Sequence, residues 1–514
     1  MLRAIRHLLR LGGIARILAR HDAFFFADRV PNLPATVRLA VRLFHRRAPG
    51  RPGQRLAHAL AALGPSFIKL GQALATRSDL LGEEVADDLS ELQDRLPPFP
   101  AAVARATVAA ELGSPVEAMF SAFDDTPVAA ASIAQVHFAV TAEGREVAVK
   151  ILRPGIEQAF ARDLDLFRWI AEWVESVMPS LRRLKPIEIV DTFADTVRME
   201  MDLRLEGAAA AELKENFEGD PDFRVPAVDW ARTARRVLVI ERVAGVRIDD
   251  VAALAAAGHD PDVILAKSAQ AFFRQVFRDG FFHADMHPGN MFVTSDGALA
   301  PVDFGITGRL DRPTRIFLAE MLRGFLTGDY REVALVHFRA GYVPKHKSLD
   351  AFAQACRSIG EPLMGKPLNE ISVGRLLAQL FRVTETFEME TQPQLLLLQK
   401  TMVVAEGVGR KLNPTVNMWQ LAEPLIAEWM RENRGPEARI GEAASDLMRA
   451  IERLPRLLAE AETAATSLVD GVRLHPETVK QLRDMPARPT GAHRALWAAV
   501  VLLAAAVAAL ALAR

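Results

Sequence analysis

Two hydrophobic periods alternate along the chain, and the places where one replaces the other mark its organisation. From Gln54 to Leu96 apolar residues recur at helical spacing, and the run ends at Pro97-Pro98. Ala101 to Leu112 predicts another helix, stopped by Gly113 and Pro115. The period then falls to two. Ile133 to Val140 and Arg145 to Leu152 read as strands joined by Thr141-Ala142-Glu143-Gly144, a hairpin signal. Helical spacing returns over about 157–178 and 186–217, Arg236 to Ile240 is a strand-like apolar run, and Pro261 to Asp279 is helical. Met291 to Val293 and Leu299 to Val302 predict short strands around the turn Ser295-Asp296-Gly297. From Thr314 to about Trp429 the pattern is almost entirely helical, residues 436–484 read as exposed helix, and Pro486 to Gly491 as a linker. No internal repeat is evident. The fold class is α+β and helix-rich.

The two ends carry different signals. Residues 495–513 are 19 positions without a charge, with Trp497 near the entry and Arg483, Arg488 and Arg494 before it. A helix of that length spans roughly 28 Å, close to the hydrocarbon thickness of a bilayer. The expectation is a transmembrane helix whose flanking arginines leave residues 1–494 in the cytoplasm; the competing reading is a buried alanine-rich core helix. At the other end Leu2, Ile5, Leu8 and Leu9 keep helical spacing with Arg3, Arg6 and Arg10 between them. Arginine interrupts every apolar stretch, which excludes a signal peptide. The segment reads either as a basic amphipathic helix drawn to anionic lipid or as a helix packed on the body with a solvated basic face. Gly12 and Gly13 are expected to interrupt it.

Composition sharpens this. With 514 residues, half of them hydrophobic and a quarter charged, an intrinsically disordered chain is excluded. The net charge of −1 hides an asymmetry: residues 1–55 hold 12 arginines and two acids, leaving 51 basic and 62 acidic residues elsewhere. Cys356 is the sole cysteine, so an intrachain disulfide and a cysteine-based structural zinc site are both excluded. A reducing compartment fits. No motif or aromatic context points to nucleic acid as a partner.

The chemistry is concentrated in His283-Ala284-Asp285-Met286-His287-Pro288-Gly289-Asn290, followed by Asp303-Phe304-Gly305. Phosphoryl transfer needs a carboxylate beside the acceptor hydroxyl, an amide oxygen on the metal and a second metal-binding carboxylate on the next hairpin. Asp285 precedes Asn290 by five positions and Asn290 precedes Asp303 by thirteen, room for one short hairpin. Each fragment is weak alone; in this order and spacing they are strong. Upstream, Val147-Ala148-Val149-Lys150 ends in a lysine suited to the α- and β-phosphates, paired with a helix carboxylate. Glu200, Asp202 and Glu206 are the candidate partners; Asp202 and Glu206 share a helical face and Glu200 is displaced. Where a glycine-rich phosphate loop is expected, the chain has Val128-Ala129-Ala130-Ala131-Ser132-Ile133-Ala134-Gln135-Val136. Alanine permits close approach but disfavours positive φ, so nucleotide geometry should differ from that of an ordinary protein kinase. Glu241-Arg242-Val243 reads as a lobe-connecting hinge offering backbone to adenine, or as a turn.

These residues resemble the UbiB/ADCK family of atypical, kinase-like proteins. The resemblance rests on Lys69-Leu70-Gly71-Gln72, the alanine-rich loop 129–132, Glu200-Met201-Asp202, the 283–290 loop and Asp303-Phe304-Gly305, with Gln392 to Arg410 also family-like. It implies a two-lobed protein-kinase-like fold with an N-terminal helical extension and a C-terminal transmembrane helix. The corresponding organisation is a basic N-terminal segment (1–53), helical extension (54–115), N-lobe (116–243), C-lobe (244–430), helical tail and linker (431–494) and span (495–513). Lys69 would approach the acidic cluster of Glu200 and Glu206 as a gate over the site. The implied cofactors are ATP/ADP and Mg²⁺, held by Lys150 and residues 128–136 and by Asn290 and Asp303, with Asp285 as base. The implied partners are anionic membrane lipid, quinone precursors and other proteins of ubiquinone (coenzyme Q) biosynthesis. The expected function is a membrane-anchored Mg-ATP-dependent kinase or ATPase supporting that pathway at the bacterial inner membrane. The alternatives are a small-molecule phosphotransferase, or a pseudokinase that binds nucleotide and presents quinone precursors.

Overall fold

Gly12 and Gly13 do not interrupt the first helix: α1 (Leu2–Arg20) runs through both. Two glycines cost about 2 kcal/mol of helix propensity, and docking offsets it. Ile14 and Ala19 are buried, and His7 stacks on Trp169 with ring centroids 5.4 Å apart. Arg10 reaches Asp163 and Arg6 reaches Asp165, each at 3.1 Å. These basic side chains therefore pack on the body, while Ile5, Leu8 and Leu9 are 50, 59 and 75 % exposed. The computed structural model describes residues 2–24, 48–75, 82–90, 96–177, 185–362, 392–415 and 418–434, with parts of 379–389.

The helical pattern predicted for 54–96 is divided at Gly64, whose φ of +108° suits glycine. α2 (Pro52–Leu63) and α3 (Pro65–Ala75) flank it, and α4 (Glu83–Ser90) follows. Their apolar faces (Leu56, Leu60, Phe67, Ile68, Val85 and Leu89) close over Leu166 and Phe167. That joins these three helices to a later helix rather than to the sheet.

After α5 (Ala101–Leu112) and α6 (Val116–Met119) come β1 (Phe120–Phe123), β2 (Ala129–Ala130), β3 (Ala134–Thr141) and β4 (Glu146–Leu152). Gly144, at φ +84°, turns the predicted β3–β4 hairpin. β5 (Val237–Glu241) completes an antiparallel sheet of order β1-β3-β4-β5, with β2 also on β3. Alternation sorts β4 by face. Val147, Val149 and Ile151 pack with Ala104 and Val108 of α5, whereas Ala148 and Leu152 face Phe160, Leu203 and Leu238. Lys150 shares this second face.

α7 (Ile156–Val177) is close to its predicted span, but the helix predicted over 186–217 is two helices, α8 (Pro186–Glu200) and α9 (Leu203–Asn216). Asp202 breaks it: with φ −115° and ψ 92° its carboxylate accepts the Arg204 N–H as an N-cap. Glu200, Asp202 and Glu206 thus do not share one helix, which corrects the reading of Asp202 and Glu206 as one face.

Beyond β6 (Val246–Arg247) and α10 (Val251–Ala256), α11 (Pro261–Phe273) widens into a π-helical stretch, Arg274–Asp279. β7 (Phe281–His283), β8 (Met291–Val293), β9 (Leu299–Pro301) and β10 (Thr307–Arg309) follow; β6-β8-β9 form one small sheet and β7 pairs with β10. α12 (Arg312–Leu326), α13 (Tyr330–Arg339) and α14 (Leu349–Gly360) start at Asp311, Asp329 and Ser348 caps. α15 (Pro393–Leu412) and α16 (Met418–Arg434) complete the described chain; Leu398, Val408 and Trp429 bury themselves among Phe272, Phe277 and Phe281. Residues up to Arg431 form one unit and Glu432–Arg514 a second, of which only the end of α16 is described. The predicted span at 495–513, the helix at 436–484 and the linker lie outside the described residues. Among the described residues no helix is long and apolar enough to cross a membrane.

Candidate active site

The break at Asp202 settles which carboxylate meets Lys150. Lys150 Nζ lies 2.7 Å from Glu206 Oε1, in the first turn of α9, and 3.2 Å from Asp303 Oδ1. Burial works against the charge on Lys150, but the Asp303 and Glu206 carboxylates outweigh it and raise the ammonium pKa above its usual value. Burial pushes the Glu206 carboxyl up to about 7, against the pull of Lys150. For Asp303 burial also acts upward, but Lys150 and the Gly305 N–H prevail and hold the carboxyl below the usual range. Glu206 and Asp303 therefore share one ammonium on unequal terms.

Glu200, the last residue of α8, is elsewhere: its Oε2 lies 2.9 Å from Lys69 Nζ on α3. The expected approach of Lys69 to an acidic cluster is met at Glu200, while Glu206 is engaged by Lys150. Asp202 turns to Arg204 at 2.6 Å.

The 283–290 loop is held from three sides. His283 is fully buried; its backbone N–H donates to Gln275 in the π-helical stretch at 2.9 Å. Its Nδ1 accepts the Asp285 N–H at 3.2 Å and its Nε2–H donates to the Asp303 carbonyl. Burial lowers its pKa, so the neutral ring is a fixed strut between the Asp285 loop and Asp303. Pro288 opens a tight turn ending at Asn290, whose Nδ2 donates to Asp285 Oδ2 at 3.0 Å. From α15, the buried Thr401 hydroxyl lies 3.2 Å from the Ala284 carbonyl and 2.9 Å from the carbonyl of Leu397, sharing its proton between them, and Lys400 Nζ lies 3.8 Å from Asp285 Oδ1. Gln275, Lys400 and Thr401 had no assigned role in the sequence, because solitary helix residues carry no spacing signal.

The alanine-rich cover is a tight β2–β3 turn, closed by the Ala131 N–H donating to the Ala134 carbonyl at 2.8 Å. No residue from 128 to 136 has positive φ, as alanine dictates. The segment divides by exposure. Val128 and Ala129 are exposed and Ala130, Ala131 and Val136 half-buried, but Ser132, Ile133, Ala134 and Gln135 are buried. Gln135 clamps both the N–H and the carbonyl of Phe99, in the irregular segment before α5. The side chains of these four pack into the body, so what residues 132–135 can offer a nucleotide is backbone. Residues 242–245 connect β5 to β6 and so link the sheets; a side chain on Gly245 would meet the Val293 carbonyl at 2.5 Å.

Asp303 and Asn290 offer a carboxylate, 43 % exposed, and an amide. Mg²⁺ takes hard oxygen ligands and commonly uses one or two carboxylates plus substrate phosphates, so this donor set fits it. Among the described residues no cluster of three or more His, Cys, Asp or Glu forms a self-sufficient metal cage.

An antiparallel lobe carrying an ion-paired lysine, set against a helical lobe carrying Asp285, Asn290 and Asp303, defines a protein-kinase-like fold and site. Comparison with known proteins narrows the class. Residues 91–337 match the ABC1 atypical kinase-like domain and residues 356–417 the UbiB helical domain. The probable protein kinase UbiB of Marinobacter nauticus is 44 % identical over 409 residues, 79 % of this chain and 75 % of the relative. That of Azotobacter vinelandii is 41 % identical over 490 residues, 93 % of this chain and 89 % of the relative. The Rv3197–erythromycin complex from Mycobacterium tuberculosis superposes with a TM-score of 0.53 at 26 % identity, covering 76 % of this chain and 97 % of that one. The chain belongs to the UbiB family of ABC1 atypical kinase-like proteins.

Proposed function

We propose that this protein is a Mg-ATP-dependent kinase or ATPase that works at the bacterial inner membrane in support of ubiquinone biosynthesis. The observation that carries the catalytic reading is the contact of Lys150 with both Glu206 and Asp303, beside Asp285 and Asn290. Lys150 positions the α- and β-phosphates, and residues 128–131 cover them. Asp285 orients the attacking hydroxyl or water and takes its proton. Asn290 and Asp303 hold Mg²⁺, which supplies charge neutralisation at the phosphates. Lys69, locked to Glu200, holds the extension over the side where a protein substrate would approach. Asp303→Asn should abolish Mg-ATP turnover with an unchanged circular-dichroism spectrum; undiminished turnover overturns the assignment.

Two features support the membrane reading: the uncharged 495–513 segment and the outward row Ile5, Leu8 and Leu9, with Arg16 and Arg20 exposed on the same helix. Replacing Leu8 and Leu9 by Asp should weaken sedimentation with anionic vesicles, and equal sedimentation of the two proteins would remove α1 from the membrane contact. The pathway is tested by deletion and lipid extraction. Loss of ubiquinone with accumulation of an early prenylphenol supports it, and normal ubiquinone overturns it.

A further inference from the structure

We propose that Lys400, on α15, is a catalytic residue whose ammonium binds the phosphoryl group as it is transferred at Asp285. The inference rests on the Mg-ATP reading and adds a component from beyond the matched kinase-like domain, residues 91–337: α15 lies within the matched helical domain, residues 356–417.

The geometry starts from the two oxygens of Asp285. Oδ2 accepts the Asn290 amide at 3.0 Å, and Oδ1 is the oxygen nearest Lys400, at 3.8 Å. That separation exceeds a hydrogen bond, so the carboxylate does not consume the ammonium's donors. It is short enough to place a cation beside the point where the acceptor oxygen meets phosphorus. The position is fixed by the next residue. Thr401 is fully buried; its hydroxyl, 2.9 Å from the Leu397 carbonyl one turn back, shares its proton with the carbonyl of Ala284, which precedes Asp285, at 3.2 Å. That bond sets the register of α15 against the loop and leaves Lys400 at the rim, its side chain 40 % exposed.

Charge explains why the site needs this residue. In the transfer an acceptor O–H oxygen forms the new P–O bond, its proton passes to Asp285, and the bond to the β-phosphate oxygen breaks to release ADP. Charge spreads over the equatorial phosphoryl oxygens while a carboxylate stands beside them. The loop 283–290 contains no lysine or arginine. His287 Nδ1 accepts the Gly289 N–H, and Lys150 is engaged by Glu206 and Asp303. A cation delivered from α15 supplies what the loop lacks, and a donor aimed at developing charge is worth about 10²–10³ in rate. An exposed lysine near a carboxylate is often an ion pair of little consequence; here the buried Thr401 anchor beside it gives the placement a cause.

The test uses the full chain with Mg-ATP, comparing wild type, Lys400→Met, Lys400→Arg and Asp303→Asn. Turnover and KM for ATP are measured with Mg-ADP affinity and thermal unfolding. Lys400→Met should lower kcat about 100-fold, with KM, Mg-ADP affinity and melting temperature nearly unchanged, and Lys400→Arg should recover much of the loss. Retained turnover in Lys400→Met, when Asp303→Asn has lost it, overturns this inference alone. A loss shared equally by Lys400→Arg, or accompanied by lost Mg-ADP binding or stability, overturns it in favour of a structural role. Absence of Mg-ATP turnover in the wild type overturns both this inference and the function on which it rests.

Discussion

Gly308→Ala probes the pairing that brings the Asp285 loop and the Asp303 segment together. Gly308 lies in β10 directly opposite Phe282 of β7, next to the His283–Thr307 pair. An added Cβ would sit 2.2, 2.5 and 2.8 Å from three atoms of the Phe282 ring. Carbon atoms in contact rest about 3.5–4.0 Å apart, so the ring would have to withdraw by more than an ångström. It has nowhere to go: Phe282 is fully buried among Phe277, Met286, Met291 and Phe304. Overpacking of this kind costs about 1–3 kcal/mol, and the upper half is expected here because the clash is with the body of a ring. Phe282→Leu opens the space. The double variant should therefore be more stable than the sum of the single losses indicates, with a coupling of about 1 kcal/mol or more. Urea denaturation of the four proteins measures it. Gly308→Ala within a few tenths of a kcal/mol of wild type, with additive single effects, would refute the register and with it the juxtaposition of the two loops.

Two further outcomes follow from burial and charge. Cys356 is 4 % exposed and burial pushes its thiol up to about 12, so the folded protein should resist alkylation at pH 8 and gain one reactive thiol on unfolding; rapid labelling of native protein would contradict its place on α14, buried with Tyr330, Val333 and Ala334 of α13. For Lys69 and Glu200, whose side chains are largely buried, a double-mutant cycle with Lys69→Met and Glu200→Gln should give a coupling of about 0.5–3 kcal/mol. A coupling near zero would show that the pair does not hold the extension.

The chemistry was legible because kinase-type sites write it locally: Asp285, Asn290, Asp303 and Lys150 each sit at a spacing that one loop or hairpin enforces. The β3–β4 hairpin and β8 were legible for the same reason, from short-range alternation and turn glycines. What depended on distant packing was not. Glu200 and Glu206 keep helical spacing, and nothing in it shows that Asp202 would cap a new helix and send them to different lysines. Gly12 and Gly13 read as a break because the acids that secure α1, Asp163 and Asp165, lie some 150 residues away. The burial of the 132–135 side chains was not legible because the backbone of Phe99, which Gln135 clamps, belongs to a segment with no motif. Lys400 and Thr401 fell within a family-like stretch, but only the docking of α15 gives them a location.

On the proposed function, Lys150, Glu206, Asp285, Asn290 and Asp303 form one Mg-nucleotide site. Calorimetric titration of ADP into the full-length protein, with Mg²⁺ and with EDTA, tests it most directly. Binding should depend strongly on Mg²⁺ in the wild type, and Asp303→Asn should lose most of that dependence while still binding metal-free ADP through Lys150. Equal ADP affinity with and without Mg²⁺ in the wild type, or an unchanged Mg²⁺ dependence in Asp303→Asn, would contradict it.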